Sequence, residues 1–380
     1  MVAKPIPRSD ETVDVSVCER PSEPVLRAWD RLVTGVTGSD VTQLSGWAVV
    51  RRTAGYRPLY VFATRSGMLV GGAQVLVRRV PLVGSVGYLS YGPLVDSAAP
   101  RVSVVAALAE ALHELARSSL CALFVQPVDG DDVSAALLAL GFRDSSASVA
   151  PAATVRVELS GTEEQLRAGL SKRVRRWTGK WATNGVTVRR GGAADLDVFV
   201  DLLAHTARYQ GFAEVSPEYV RTLYRQFVGQ GHVEIFVAEV DHKPVAAELF
   251  TNCGGVFRCR LTGLDRSSSA LRLSATSAID WEAMRWAKHN GLVEFDLGGL
   301  TVAAAGAVAE EGFSSPALDG PTRFKVGFGG RLHRYPRAVE LISSPVLRKT
   351  YDVLGSGSAG RAAIDLAKRW MRHGQPAARR

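Results

Sequence analysis

Near the end of the chain, Arg323-Phe324-Lys325-Val326-Gly327-Phe328-Gly329-Gly330 sets one lysine among aromatics and glycines, and Gly298-Gly299 forms a second glycine pair upstream. Glycine is favoured where backbone must bend with positive φ or approach another group closely. An ammonium fixed beside such backbone in a partly dry cleft holds a developing anion far better than a solvated lysine does. Lys325 is therefore the candidate catalytic group, on what reads as a strand running into a tight turn. The same octapeptide also suits a β-hairpin with an exposed lysine, so other stretches must decide.

Charge supplies the second signal. The net charge is +9 and the isoelectric point is near 9.6, which asks for a polyanionic partner: nucleic acid, a phosphorylated substrate or an anionic membrane surface. Between Glu164 and Asp195 there is no acid, yet the interval holds Arg167, Lys172, Arg173, Arg175, Arg176, Lys180, Arg189 and Arg190 with Trp177 and Trp181 interleaved. A second basic block closes the chain, from Arg361 through Lys368, Arg369, Arg372 and His373 to Arg380. Charge runs are commonly solvated faces, but aromatics without acids favour a polyanion surface.

Other chemistries lack their residues. Cys18, Cys121, Cys253 and Cys259 are scattered, with no C-x-x-C pair and no histidine at metal-ligand spacing, so reduced thiols and no metal are expected. The histidines form no recognisable triad context. No apolar run approaches the about 18 residues that a membrane span needs, and Met1 to Arg20 lacks the apolar core of a signal peptide. A cytoplasmic location is expected.

The elements that must position these groups fall into two similar series. Pro24 to Val33 and Val41 to Arg52 read as helices; strands follow at Leu59 to Thr64, Met68 to Arg79 and Val86 to Tyr91. Helix Arg101 to Ser118, with Val104, Val105, Leu108, Leu112 and Leu115 at helical spacing, precedes strand Cys121 to Pro127 and helix Asp132 to Leu140. The second series runs from strand Thr154 to Leu159 through a long basic helix, Glu163 to Asn184, closed at Gly185, to strand Val186 to Arg190. Helices Asp195 to Tyr209 and Pro217 to Val228 follow, then strands Val233 to Val240, Val245 to Cys253 and Val256 to Gly263, helix Leu273 to Asn290 and strand Val293 to Leu297. This is the element order of the N-acetyltransferase (GNAT) fold, present twice. It predicts an α/β (α+β) protein of two tandem GNAT-like domains, 1–150 and 151–340, with a basic tail at 341–380 that packs back or is mobile.

The motifs carry a resemblance. Gln43-Leu-Ser-Gly-Trp47-x3-Arg51-x3-Gly55-Tyr56, Tyr91-Gly92-Pro93-Leu94-x-Asp96, Ser171-Lys-Arg-Val-Arg175-Arg176 with Asn184-Gly185-Val186, Thr206-Ala-Arg208-Tyr209-Gln-Gly211-Phe212, Asp296-Leu-Gly298-Gly299 and Phe324-Lys325-x-Gly327-Phe328-Gly329-Gly330 occur in that order. Together they resemble the motifs of the FemABX peptidyl transferases, which move an amino acid from aminoacyl-tRNA onto a peptidoglycan precursor. Departures occur: Arg51 where the family has lysine, Tyr56 for tryptophan, Tyr91 for arginine, and Pro336-Arg337-Ala338-Val339 in place of Gly-Glu. No coiled-coil arm follows Gly185. These departures leave the acceptor open.

The resemblance implies an aminoacyltransferase with aminoacyl-tRNA as co-substrate and no cofactor. Lys325 would hold the tetrahedral oxyanion and Phe324 would pack on the terminal nucleotide; Arg51 and Arg208 would clamp precursor phosphates, a contact guanidinium suits. Trp47, Tyr91, Tyr209 and Asp296 complete the substrate set, and Lys172, Arg173, Arg175, Arg176 and Lys180 would meet tRNA. The first domain would take the acceptor and the second the tRNA. Each has a plainer reading: Trp47 and the tyrosines as core, Arg208 as surface, Asp296 as a turn-forming residue. The acceptor is a lipid-linked or UDP-linked precursor, which would bring a monomer to the inner face of the plasma membrane, or else a small amine in antibiotic biosynthesis. An acyl-CoA N-acyltransferase is the third reading, disfavoured because no pyrophosphate-binding Gly-x-Gly turn follows Val125 or Val240.

Overall fold

The computed structural model describes residues 12–81, 83–128, 130–145, 147, 150–211, 213–266 and 273–356. Phe212 and the basic segment from Arg361 to Arg380 lie outside the described residues.

Each series folds around one sheet. The first comprises strands β1 (Asp14–Cys18), β2 (Arg57–Arg65), β3 (Met68–Val80), β4 (Gly84–Ser90), β5 (Leu94–Val95), β6 (Ala122–Gln126) and β7 (Arg143–Asp144), with helices α1 (Glu23–Gly35), α2 (Ser45–Arg52), α3 (Arg101–Ser118) and α4 (Asp132–Ala139). The second comprises β8 (Ala153–Glu158), β9 (Val186–Gly191), β10 (Val233–Val240), β11 (Lys243–Cys253), β12 (Val256–Leu264), β13 (Glu294–Gly299) and β14 (Arg331–Arg334). Its helices are α5 (Glu163–Gly169), α6 (Lys172–Thr178), α7 (Leu196–Gln210), α8 (Pro217–Phe227), α9 (Ala275–His289), α10 (Val302–Glu311) and α11 (Gly320–Val326). Strand β15 (Val339–Ile342) and helix α12 (Pro345–Ser356) follow.

Strand order is β1-β2-β3-β4-β6-β15-β7, with β5 on β3, in the first sheet and β14-β8-β13-β12-β11-β10-β9 in the second. Both are antiparallel except at the join made across a helix, β4 with β6 and β12 with β13. A parallel neighbour needs such a crossover, and α3 and α9 provide it. The apolar spacing of α3 serves its packing: Val104, Val105, Leu108, Leu112 and Leu115 are all buried in the core beneath the first sheet. The β10–β11 hairpin turns at Asp241 and His242, both at positive φ, as the twist of a two-residue hairpin demands.

A core between the units joins them. Trp29, Leu44 and Trp47 from the first share a cluster with Phe199, Leu223, Phe227, Ile235 and Leu249 from the second. Gly38 N–H donates to Gly254 O, and Ser39 Oγ lies 3.2 Å from Cys253 Sγ.

Three local expectations are corrected. The basic stretch Glu163 to Asn184 is not one helix: α5 ends at Gly169, and α6 starts afresh because Ser171 caps it, its hydroxyl accepting from Val174 N–H. A short 3-10 turn, Ala182–Asn184, closes the stretch at Gly185 in the left-handed region. Serine competes for backbone donors and glycine holds helix poorly, so the pair breaks the run. Phe324 and Lys325 lie on helix α11, not on a strand; Asp319 caps it and Pro321 occupies its first turn, both favoured there. Strand β15 returns to the first sheet between β6 and β7, so a boundary at residue 340 cuts a strand of the first unit.

Candidate functional site

The two parallel joins differ. Strands β4 and β6 pair from Val86↔Ala122 to Ser90↔Gln126, whereas β12 and β13 pair only from Val256↔Glu294 to Arg258↔Asp296. Past Arg258 and Asp296 the two strands no longer pair, and this parting of their ends is the β12–β13 crevice. There Lys325 Nζ donates to Gly299 O at 2.6 Å and to Gly298 O at 3.2 Å. Gly298 has φ +85°, and a Cβ on it would lie 3.7 Å from Lys325 Nζ and 3.4 Å from Cys259 O. Gly330, at φ +83°, runs against β8 so closely that a Cβ would meet Arg156 O at 2.2 Å. These glycines let α11 and the end of β13 close on the crevice. Burial lowers the Lys325 pKa, while Cys259, Asp296, Asp280 and Asp319 oppose that shift. An ammonium has three N–H groups, so two carbonyls aim it and leave one for a substrate oxygen. Phe324, half-buried beside it, packs edge-on against Phe328 at 5.5 Å.

Asp296 has a structural place as well as proximity. Fully buried, it accepts from Thr154 Oγ1 at 2.5 Å, Gly298 N–H at 2.9 Å and Arg258 Nε at 3.0 Å, with Arg156 Nε at 3.5 Å. Burial works against its charge, but Arg258, Thr154 and Arg156 outweigh it and hold its pKa below the usual carboxylate value. Arg258 continues across the units to Asp40, which Arg260 also grips at 2.7 Å. Asp40 accepts from Thr42 N–H at the start of a 3-10 turn. Tyr91 lies here too, its ring under Arg258 at 5.1 Å and 5.0 Å from that of Tyr335; burial pushes its hydroxyl well above 10. Sequence reasoning singled out Asp296 and Tyr91 but missed Asp40, Arg156, Arg258 and Arg260.

Arg51 and Arg208 occupy different surroundings. The Arg51 guanidinium is buried on α2 over the rings of Tyr56, at 4.8 Å, and Tyr88, at 6.0 Å. Trp47, one turn earlier and buried, meets Tyr219 edge-on at 6.3 Å and lies under Arg260 at 5.3 Å. Arg208 is exposed on α7 and pairs with Glu214 at 3.3 Å. With His205, Tyr209 and Arg266 it lines an open cavity of about 470 Å³, where Arg266 stacks over Tyr209 at 4.4 Å. Arg51 does not line that cavity.

On the basic stretch, Lys172, Arg173, Arg176 and Lys180 are exposed, and Arg175 is half-buried with a bond to Ala168 O at 3.3 Å. The interleaved tryptophans face inward instead of outward: Trp181 is buried and donates to Leu273 O at 3.1 Å, and Trp177 packs on the same core. The surface here is cationic without an aromatic platform.

Beneath the crevice, Glu248 of β11, Cys259 of β12 and Asp280 of α9 bring their donor atoms within 4.8 Å of one another. Both carboxyls are buried and hydrogen-bond each other. The Lys325 ammonium acts on both carboxyls of this acid pair. Glu248 had a visible signal, a lone acid in the apolar run Val245 to Phe250.

The family model for the acetyltransferase (GNAT) domain matches residues 165–313. The chain is 26% identical over 233 residues to the lipid II:glycine glycyltransferase of Staphylococcus aureus strain MRSA252, an alignment covering 58% of this chain and 55% of that protein. It thus spans about half the length of the curated relatives it matches. Among solved structures, FemX superposes with a TM-score of 0.73 at 17% identity, covering 88% of this chain and 99% of FemX. A tandem GNAT protein from the clavulanic acid biosynthesis pathway superposes with a TM-score of 0.54 at 13% identity, covering 88% and 99%. The fold is two GNAT-type units in tandem, and homology to the glycyltransferase together with the FemX fold supports the FemABX family read from the motifs.

Proposed function

We propose that this chain is an aminoacyltransferase that moves an amino acid from aminoacyl-tRNA to an amine of a peptidoglycan precursor. The observation that carries this reading is Lys325 Nζ, held by Gly298 O and Gly299 O at the mouth of the β12–β13 crevice. The donor is an activated ester. A neutral acceptor amine attacks its carbonyl carbon, the oxyanion forms against the Lys325 ammonium, and collapse breaks the ester bond; one proton leaves nitrogen and one arrives on the ribose oxygen. Such aminolysis needs positioning and oxyanion stabilisation, without a nucleophilic side chain or a cofactor. Phe324, beside Lys325, would pack on the terminal nucleotide. The name of the glycyltransferase relative points to lipid II as an acceptor class. A lipid-linked acceptor would bring the protein to a membrane face; no helix among the described residues is long and apolar enough to cross one. The deciding experiment is transfer of radiolabelled amino acid from charged tRNA to lipid-linked and UDP-linked precursors, with acetyl-CoA as the competing donor. Acetylation without aminoacyl transfer would overturn the reading.

The exposed cations Lys172, Arg173, Arg176 and Lys180 are the proposed tRNA contacts. Each phosphate contact releases counterions, so affinity should fall steeply with salt. Charge reversal at Arg173 and Arg176 should flatten the plot of log affinity against log salt by about one to two units. An unchanged slope in a filter-binding titration removes α6 from the interface.

One observation favours a small-amine acceptor. Arg51 is enclosed by Tyr56 and Tyr88 and does not join Arg208 in the open cavity, so a two-arginine pyrophosphate clamp is not assembled in this structure. If a precursor phosphate binds at the Arg208 cavity, Arg208→Ala should raise the acceptor KM about tenfold or more and leave kcat near wild type, as loss of ground-state binding does. An unchanged KM would favour the small-amine acceptor.

A further inference from the structure

Lys325 Nζ and Cys259 O both lie against Gly298, and Cys259 clusters with two buried carboxyls that the transfer chemistry does not use. Glu248 projects from β11 and Asp280 from α9, with 1% and 2% of their surfaces exposed. They hydrogen-bond each other, and Asp280 Oδ1 itself has no partner among the described residues. Thr262 bonds the Glu248 carboxyl from β12, and Cys259 Sγ lies 4.0 Å from Glu248 Oε2 and 3.4 Å from Thr262 Oγ1. The charged or titratable groups that act on Lys325 are Cys259 of β12, Asp296 of β13, Asp280 of α9 and Asp319 at the head of α11; Glu248 of β11 feels the Lys325 charge in return. Asp296 is already committed to Arg258 and Arg156, and Asp319 to the cap of α11. Burial keeps the Cys259 thiol neutral. That leaves the acid pair as the uncommitted negative charge that acts on this ammonium.

We propose that Glu248 and Asp280 act as one positioning unit, a carboxyl–carboxylate pair carrying a single charge that keeps the Lys325 side chain an ammonium and aimed at the end of β13. Two buried carboxyls in contact cannot both ionise, so they share a proton. Burial and mutual repulsion push Glu248 well above its ordinary value, and burial moves Asp280 up to about 7. The pair therefore carries its charge above about pH 7, and that charge opposes the loss of the Lys325 proton that burial favours. The sign follows: removing the charge lowers the pH at which Lys325 deprotonates. This assignment rests on the oxyanion role given to Lys325, but its test does not need the enzyme to turn over.

The test is a pH titration of Lys325 by NMR on 13Cε-lysine protein without substrate, the resonance being assigned with Lys325→Arg. Asp280→Asn leaves Glu248 able to ionise, and Glu248→Gln leaves Asp280 so, because each removes the neighbour that opposed ionisation. Either single variant should keep the Lys325 titration near its wild-type midpoint. The double variant Glu248→Gln, Asp280→Asn should lower that midpoint by about one unit or more and move the alkaline limb of the pH–rate profile down with it. A wild-type midpoint in the double variant overturns the proposal, as does a full shift in either single one. Should the double variant not fold, Lys325→Met tests the same coupling from the other side. Losing the ammonium should raise the pH at which the pair gives up its first proton, read as the partial loss of its protonated-carboxyl band in the infrared difference spectrum, and an unmoved transition overturns the proposal. Absent transfer activity beside the expected titrations would fail the aminoacyltransferase reading and leave this one standing.

Discussion

Replacing Lys325 by alanine is expected to cut the single-turnover rate of aminoacyl transfer by about 10²- to 10³-fold, the usual cost of one lost oxyanion donor, while tRNA affinity stays within a few-fold. The split arises because the ammonium spends two N–H groups on Gly298 O and Gly299 O, and the third meets an oxygen that becomes fully anionic only in the transition state. Lys325→Arg should not restore the rate. Its planar guanidinium cannot reproduce a tetrahedral donor set between two carbonyls. Single-turnover kinetics with charged tRNA separates chemistry from binding. Turnover by Lys325→Ala within threefold of wild type would remove Lys325 from the reaction.

Much of the frame was legible because it is local. The apolar spacing of α3, the hairpin at Asp241 and His242 and the repeated order of helices and strands each depend on residues close together in the chain, and the sheets follow from them. Gly298, Gly299 and Lys325 could be linked by type alone, since glycines beside a lysine imply close backbone. What could not be read was direction. Trp181 interleaves with cations in the sequence but turns inward to Leu273 O, because the basic helix stops at Thr178 and Trp181 lies in the turn that follows it. Lys325 was placed on a strand because Phe-Lys-Val reads as extended, and Asp319 with Pro321 went unread as a helix start.

The buried charges were least legible of all. Asp40 sits in a loop 218 residues before Arg258, and only the docking of one unit on the other brings them together. An arginine two residues from another in a strand, as Arg258 and Arg260 are, shares a face; nothing in the sequence says that the face is buried. Glu248 alone carried a signal, a lone acid in the apolar run Val245 to Phe250, a pattern that marks a residue kept for something other than packing; Asp280, with Glu282 and Arg285 close behind it, carried none.

Arg258 is where the two units and the site meet, and its removal should be the most damaging single change to stability. It is buried between Asp40 of the first unit and Asp296 beside the crevice, and Arg258→Leu would leave both carboxylates short of a counter-charge. Breaking a buried pair in this way costs about 3–5 kcal/mol at neutral pH. The pH dependence distinguishes lost charge from lost packing. In the wild type, the lowered pKa of Asp296 contributes stability that is present above the unfolded carboxylate value of about 4 and disappears as pH falls through the lower folded value. Without Arg258, burial becomes the larger influence and the folded pKa of Asp296 should rise above about 4. The variant would then regain part of its deficit as pH falls toward 5, since protonation removes a buried charge that Arg156 alone would still face. Urea midpoints for wild type and Arg258→Leu at pH 7.5 and pH 5 should therefore converge on the acid side. Parallel curves would mean that Arg258 acts through its packing against Tyr91 and not through the charges it joins.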